Sequence, residues 1–148
     1  MASQEEMQQH YALYQMLQSR LEEIKQQLGI VQTKLVEFEN TKAALEAIES
    51  AKAQSDVLVP LGSGCYTQGK IDANEKILTD LGVGIMAKKD IASAKEFVEK
   101  RKVEMEEASG ILQTELIDIA NKMNEISAQL QQLVQESQKP AEGTGTAG

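Results

Sequence analysis

Tryptophan is absent from this chain, and aromatic residues make up only 3% of it. A large globular core would therefore lack its usual bulky fillers. The single cysteine, Cys65, rules out a disulfide within the chain and fits a reducing compartment. His10 is the only histidine, so one chain can form neither a His-based metal cluster nor a Ser–His–Asp triad; it reads as a solvated helix residue. The opening Met1-Ala-Ser-Gln-Glu-Glu lacks the basic region and apolar run of a signal peptide. No stretch approaches the roughly 18 apolar residues of a membrane span. The expectation is a cytoplasmic protein with no membrane partner. A net charge of -8 argues against binding a nucleic-acid backbone by simple attraction. The acids and bases are spread along the chain, which describes a solvated surface rather than a docking patch.

What the chain does have is Glu, Gln, Ala, Lys and Leu, the mixture of a long helix or coiled coil. Ser3-Gln-Glu-Glu6 reads as a capping box at the start of a helix over about residues 4–54. Apolar residues recur at Tyr14, Leu17, Leu21, Ile24, Leu28, Val31, Leu35 and Phe38, with steps that alternate between three and four. That seam meets Lys42 and resumes at Leu45 and Ile48. A repeat of 3.5 residues held over this length is a coiled-coil seam.

A second helix is expected over about residues 91–138, with Asp90 as its N-cap. Its seam is Ile91, Ala94, Val98, Met105, Ala108, Leu112, Leu116, Ile119, Met123, Ile126, Leu130 and Leu133. Two four-residue steps come after Ala108, which relaxes the supercoil there. Pro140 blocks continuation, and the small polar residues of 140–148 read as a disordered tail. Each helix would span about 70 Å at 1.5 Å per residue. Two equal helices joined by a compact middle segment favour an antiparallel hairpin with both chain ends at one tip. Gly29 and Gly110 interrupt the two helices at a cost of about 1 kcal/mol each relative to Ala.

The middle segment changes character. Val57-Leu58-Val59-Pro60-Leu61 is β-rich, and Ile77, Thr79, Leu81, Val83 and Ile85 alternate as the buried face of a strand should. Leu58-Val-Pro-Leu61-Gly62-Ser-Gly64 recurs twenty residues later as Leu78-Thr-Asp-Leu81-Gly82-Val-Gly84. Two β-hairpins are expected, with strands over Val57–Leu61, Cys65–Ile71, Ile77–Leu81 and Gly84–Lys88 and with Asp72–Glu75 between them. Isolated hairpins are marginal in water, and exposed strand edges invite other chains. The fold class is thus α+β dominated by helix: a long antiparallel coiled-coil hairpin carrying two β-hairpins, within one domain over 1–139. Such a chain needs partners. Val57, Leu58, Val59, Leu61, Ile71, Ile77, Leu81, Val83 and Ile85 are the candidate assembly residues.

Neither Gly-X-Gly copy opens directly into a helix, so a dinucleotide-binding loop is disfavoured and no cofactor is expected. Cys65 has no CxxC partner, the carboxylates form no acid/base pair, and no enzymatic activity is expected. The tip is more informative. Tyr11, Leu13 and Met16 are apolar but leave the Tyr14–Leu17 seam, Met7 adds another, and Val134 is displaced from Leu130 and Leu133 in the same way. They read either as wider packing within the hairpin or as an adaptable apolar surface for unfolded chains. Ile30, Val36, Phe97, Val103, Ile111 and Ile117 also leave the seams away from the tips.

The order helix, two hairpins, helix, together with Val57-Leu-Val-Pro-Leu-Gly-Ser-Gly-Cys-Tyr66 and Leu81-Gly-Val-Gly84, resembles an α-class prefoldin subunit. Gly82-Val-Gly-Ile-Met-Ala-Lys88 departs from the eukaryotic pattern and is closer to archaeal-type members. The resemblance implies a heterohexamer of two α and four β subunits, whose α hairpins form the centre of a β-barrel platform. It further implies coiled-coil tips that hold unfolded client proteins without ATP and pass them to a group II chaperonin. A purely structural coiled-coil assembly or filament is the alternative.

Overall fold

The computed structural model describes residues 4–72 and 76–139. Ser3 of the capping box, residues 73–75 of the inter-hairpin link and the 140–148 tail lie outside the described residues. The element order is α1 (Gln4–Ser50), β1 (Ser55–Gly62), β2 (Cys65–Ile71), β3 (Ile77–Asp80), β4 (Met86–Lys89) and α2 (Ile91–Gln138). Contacts group the chain into two compact units. The first contains Met1–Ile30 with Ala108–Gly148, and the second contains Val31–Glu107.

In the first unit the two helical segments run antiparallel, because Arg20 pairs with Glu115 and His10 with Gln129. Ile24, Ile119, Ile126 and Leu130 are buried, and the remaining seam residues are half-buried. Arg20 clasps Glu115 through two hydrogen bonds, Nε to Oε1 at 2.7 Å and Nη2 to Oε2 at 2.9 Å, and also reaches Glu23. The geometry is the planar fork that favours Arg over Lys at such a site. It holds the Glu115 carboxyl below the usual carboxylate range and raises the Arg20 guanidinium further.

In the second unit the helical segments are again antiparallel, clasped by the Glu39–Lys102, Lys42–Glu99 and Glu49–Lys95 ion pairs. Leu45, Ala94 and Val98 form the buried cluster, with Phe38, Ile77 and Phe97 packed against it. Phe97, which the heptad count leaves off the seam, is thus part of this core. Its ring also takes Lys89 Nζ at 4.6 Å and Arg101 at 5.1 Å from the centroid. Lys102 occupies the seam position between Val98 and Met105. Its stem is largely covered while its ammonium reaches Glu39 and Glu106, so a charged residue serves where an apolar one was sought.

The helices end for local reasons. Asp90 caps α2 as expected, its Oδ1 accepting from the Ser93 N–H at 2.8 Å. That bond keeps its carboxyl below the ordinary value. α1 stops at Ser50, short of the expected residue 54. Gln54 is drawn into a left-handed conformation, φ 65°, from which its N–H donates to the Ile71 carbonyl and its side chain to Asp72. Helix propensity in Ala51-Lys-Ala-Gln54 yields there to closure of the first hairpin.

Among the described residues the strands form two separate two-stranded antiparallel sheets, β1–β2 and β3–β4, with no closed barrel. The twenty-residue repeat holds in three dimensions. Gly62, Ser63 and Gly64 have φ of 105°, 52° and 79°, and Gly82, Val83 and Gly84 have 104°, 49° and 76°. One turn is built twice, from glycines that tolerate positive φ. This corrects the second strand pair. β3 ends at Asp80 and β4 begins at Met86, because Leu81–Ile85 form the turn, closed by Leu81 N–H to Ile85 O and Ile85 N–H to Gly82 O. Val83 is its tip, 99% exposed, and not a strand residue. Leu81 and Ile85 are the ends of that turn and are exposed, so the alternation from Ile77 to Ile85 is a buried face only at Ile77 and Thr79.

Candidate functional site

Two surfaces carry the residues singled out from the sequence. The first lies in the first unit, where Tyr11 and Tyr14 of α1 and Ser127, Leu130, Gln131, Val134 and Gln135 of α2 line an open groove of about 420 Å³. Two antiparallel helices cannot cover their outer edges, so the seam residues Tyr14 and Leu130 form its floor. Tyr11 and Val134, each beside the seam, form its walls. Aromatic and aliphatic carbon dominate, and the Tyr hydroxyls and the Gln and Ser side chains supply a polar fringe. Such a surface takes apolar side chains without demanding one shape.

Of the five tip residues, the structure brings together Tyr11 and Val134. Leu13 and Met16 are exposed but stand on other faces of α1, Met16 in a shallow depression with Ala12, Gln15, Ser19, Arg20 and Glu23. Met7 is corrected. It is half-buried, one heptad before Tyr14, and so extends the seam rather than leaving it. His10 lies between them in the same register and is half-buried, not simply solvated. Its Nδ1 lies 2.7 Å from the Glu6 carbonyl oxygen, and its Nε2 lies 2.9 Å from the Gln129 Oε1. The missed lining residues Gln131 and Gln135 carried no signal alone. Gln131 lies three residues before Val134 and Gln135 four after Gln131, and that helical spacing was the one available clue.

The second surface is the first hairpin. Its register pairs Val57 with Gly69, Leu58 with Gln68, Val59 with Thr67 and Pro60 with Tyr66, with an irregularity at Leu61. Leu58, Val59, Leu61 and Tyr66 are all exposed, whereas Val57 and Ile71 are half-covered. Gly69 leaves its face open above Val57 and Val59, whose methyls a Cβ would only touch at 3.6 and 3.7 Å. Exposed apolar side chains on a ribbon with two unpaired edges are the features of a strand waiting for neighbours. In the second hairpin Ile77 is instead committed to the helical core, and Thr79 is buried with its hydroxyl donating to the Ala87 carbonyl at 3.2 Å.

Residues 17–136 match the prefoldin subunit family model. The chain is 34% identical over 137 residues to the prefoldin subunit alpha of Nitrosopumilus maritimus, covering 84% of this chain and 94% of that one. It is 27% identical over 130 residues to the prefoldin subunit alpha of Archaeoglobus fulgidus, covering 88% and 95%. Among solved structures, filamentous prefoldin from Methanocaldococcus jannaschii superposes with a TM-score of 0.69 at 17% identity, over 78% of this chain and 95% of that one. At that identity the likeness speaks for the fold alone.

Proposed function

We propose, because this chain belongs to the prefoldin family as an α-class subunit, that it works as one α subunit of a heterohexamer with two α and four β chains. In that assembly it holds non-native proteins without ATP and hands them to a group II chaperonin. Residues 1–139 act as a single prefoldin-like domain in the cytoplasm. The observation that carries client holding is the groove between Tyr11, Tyr14, Leu130 and Val134, an apolar surface that the described residues leave open. The exposed apolar first hairpin supports assembly through Leu58, Val59 and Leu61. Delivery to a chaperonin and the subunit count rest on family membership.

The groove gives the reading a specific test. Each apolar side chain buried by a client is worth roughly 1.5–3 kcal/mol, and several tips acting together add avidity. In a complex reconstituted with a β-class partner, Tyr11→Gln with Val134→Gln should weaken protection of a denatured client several-fold. Leu13→Gln with Met16→Gln measures how far the grip extends around α1. Undiminished protection by a well-folded Tyr11/Val134 variant places the grip elsewhere. Open polymers of this chain in place of a closed complex, with no client protection, favour the structural-filament reading instead.

A further inference from the structure

Gly29 and Gly110 each sit inside a long helix, and neither is required by its surroundings. Both are exposed, and a Cβ built on either meets no packed atom within 4 Å. Neither has the positive φ that favours glycine. Alanine would fit at both positions and would hold the helix better by about fivefold per site in the local equilibrium. The sequence around them is duplicated. Gly29-Ile-Val-Gln-Thr33 recurs as Gly110-Ile-Leu-Gln-Thr114, and the likeness continues through Lys34-Leu-Val-Glu-Phe38 and Glu115-Leu-Ile-Asp-Ile119. Val31, Leu35 and Phe38 in one copy and Leu112, Leu116 and Ile119 in the other are the seam residues, so both copies present glycine outward in the same phase.

Two structural observations join the copies. Gly29 and Gly110 lie equally far along their antiparallel helices from the His10–Gln129 pair and within about one turn of one another counted from Arg20–Glu115, and both fall just inside the edge of the first unit, which ends at Ile30 and resumes at Ala108. In α2 the Thr114 hydroxyl donates to the Gly110 carbonyl at 3.0 Å, a back-bond of the kind that bends helices. A lone glycine in one helix of a pair is splinted by its neighbour. Two at one level are not.

We propose that Gly29 and Gly110 form a paired soft joint in the helical hairpin, at which the groove-bearing end bends to match the shape of a bound non-native chain. The joint rests on this chain alone, and its use in holding clients rests on the function proposed above. The test is Gly29→Ala with Gly110→Ala in the full chain, assembled with a β-class partner. In the wild-type complex, amides in 29–33 and 110–114 should exchange with solvent faster than those one turn to either side. In the double variant they should slow on the order of tenfold, with flanking amides changing less than about twofold. Clients should then dissociate several-fold faster from the stiffened complex, because fewer tips reach one irregular surface. Uniform exchange along the wild-type helices, or no local slowing in the variant, overturns the joint. Local slowing with unchanged client dissociation overturns its use. A wild-type complex that holds no client removes the proposed function, and the exchange measurement still decides on the joint.

Discussion

The two hairpins share a turn and little else. Their Gly-X-Gly segments match in φ to within a few degrees at each residue, yet one ribbon has eight- and seven-residue strands and the other has four and four. The short ribbon is anchored, with Ile77 packed against the Leu45–Ala94–Val98 cluster and Thr79 buried. The long ribbon leaves Leu58, Leu61 and Tyr66 bare with no such anchor, whereas the short one bares Leu78 and Met86 only on the face away from Ile77 and Thr79. A duplicated turn has therefore been put to two uses. One copy ties a sheet to its own helices, and the other carries a sheet whose apolar side chains stay exposed. The difference lies in the strands that flank the shared motif, since local turn chemistry decides how a hairpin closes and not what covers it.

Breaking each hairpin on its most committed residue separates the two uses most strongly. Ile77→Asp places a charge against the second unit's core, where unpaired burial costs roughly 2–5 kcal/mol. The thermal midpoint of the isolated chain, tracked by circular dichroism, should fall sharply. Leu58→Asp puts the same charge on an exposed face, so the midpoint should move by no more than about 0.5 kcal/mol equivalent. Light scattering of the reconstituted complex should then show lost assembly. Equal destabilisation by both substitutions would mean that the first hairpin is not a free ribbon in the single chain.

The turns give an intermediate effect. Gly62→Ala and Gly82→Ala impose the same strain, because φ near 105° is closed to side-chain-bearing residues at a cost of about 1–3 kcal/mol. Strain at Gly82 should reach the helices through Ile77 and lower the midpoint. Strain at Gly62 should leave the melt almost unchanged and weaken assembly. A melt equally sensitive to both would join the hairpins into one cooperative piece.

How much of this contrast the sequence carried differs by feature. The helices, their seams and the Asp90 cap were legible because periodicity and capping are local. The twenty-residue repeat was legible for the same reason. Val83 was misplaced because the alternation of Ile77, Thr79, Leu81, Val83 and Ile85 obeys the strand period, while the glycines on either side of Val83 bend the backbone out of it. The end of α1 was overrun because nothing in Ala51–Gln54 announces the Ile71 carbonyl that captures Gln54. Lys102 was passed over because counting apolar residues misses a seam position filled by a lysine stem. Met7 was taken as off-seam because the repeat was begun at Tyr14. For the groove, Tyr11 and Val134 were flagged, but Gln131 and Gln135 become visible only when the facing of the helices is known.

A smaller effect should stabilise rather than break. Val83 is β-branched at φ 49°, where such side chains are crowded, whereas Ser63 holds the matching position with a small polar one. Val83→Asn should raise the midpoint by up to about 1 kcal/mol, since Asn accepts the left-handed region readily. Ser63→Asn should change it less. A destabilised Val83→Asn chain would mean that the exposed valine rests on something in the free protein.

The smallest effect is a local response to acid at the anchored side. β4 runs directly into the Asp90 cap of α2, and the Ser93 N–H holds that carboxyl below its ordinary value. A depressed carboxylate contributes stability that is fully present above its unfolded pKa, about 3.9, and that is lost as pH falls through the lower folded value. Acid titration monitored by amide exchange should therefore loosen the first turn of α2 and the β4 strand below about pH 4. The Asp90→Asn variant, which keeps a capping side chain without the titration, should remove that step. The Glu39–Lys102 and Arg20–Glu115 clasps also depress carboxylates, so the variant keeps a residual acid response along both helical segments. An unchanged step at Ile91–Ala94 in Asp90→Asn would move the response from the cap to those clasps.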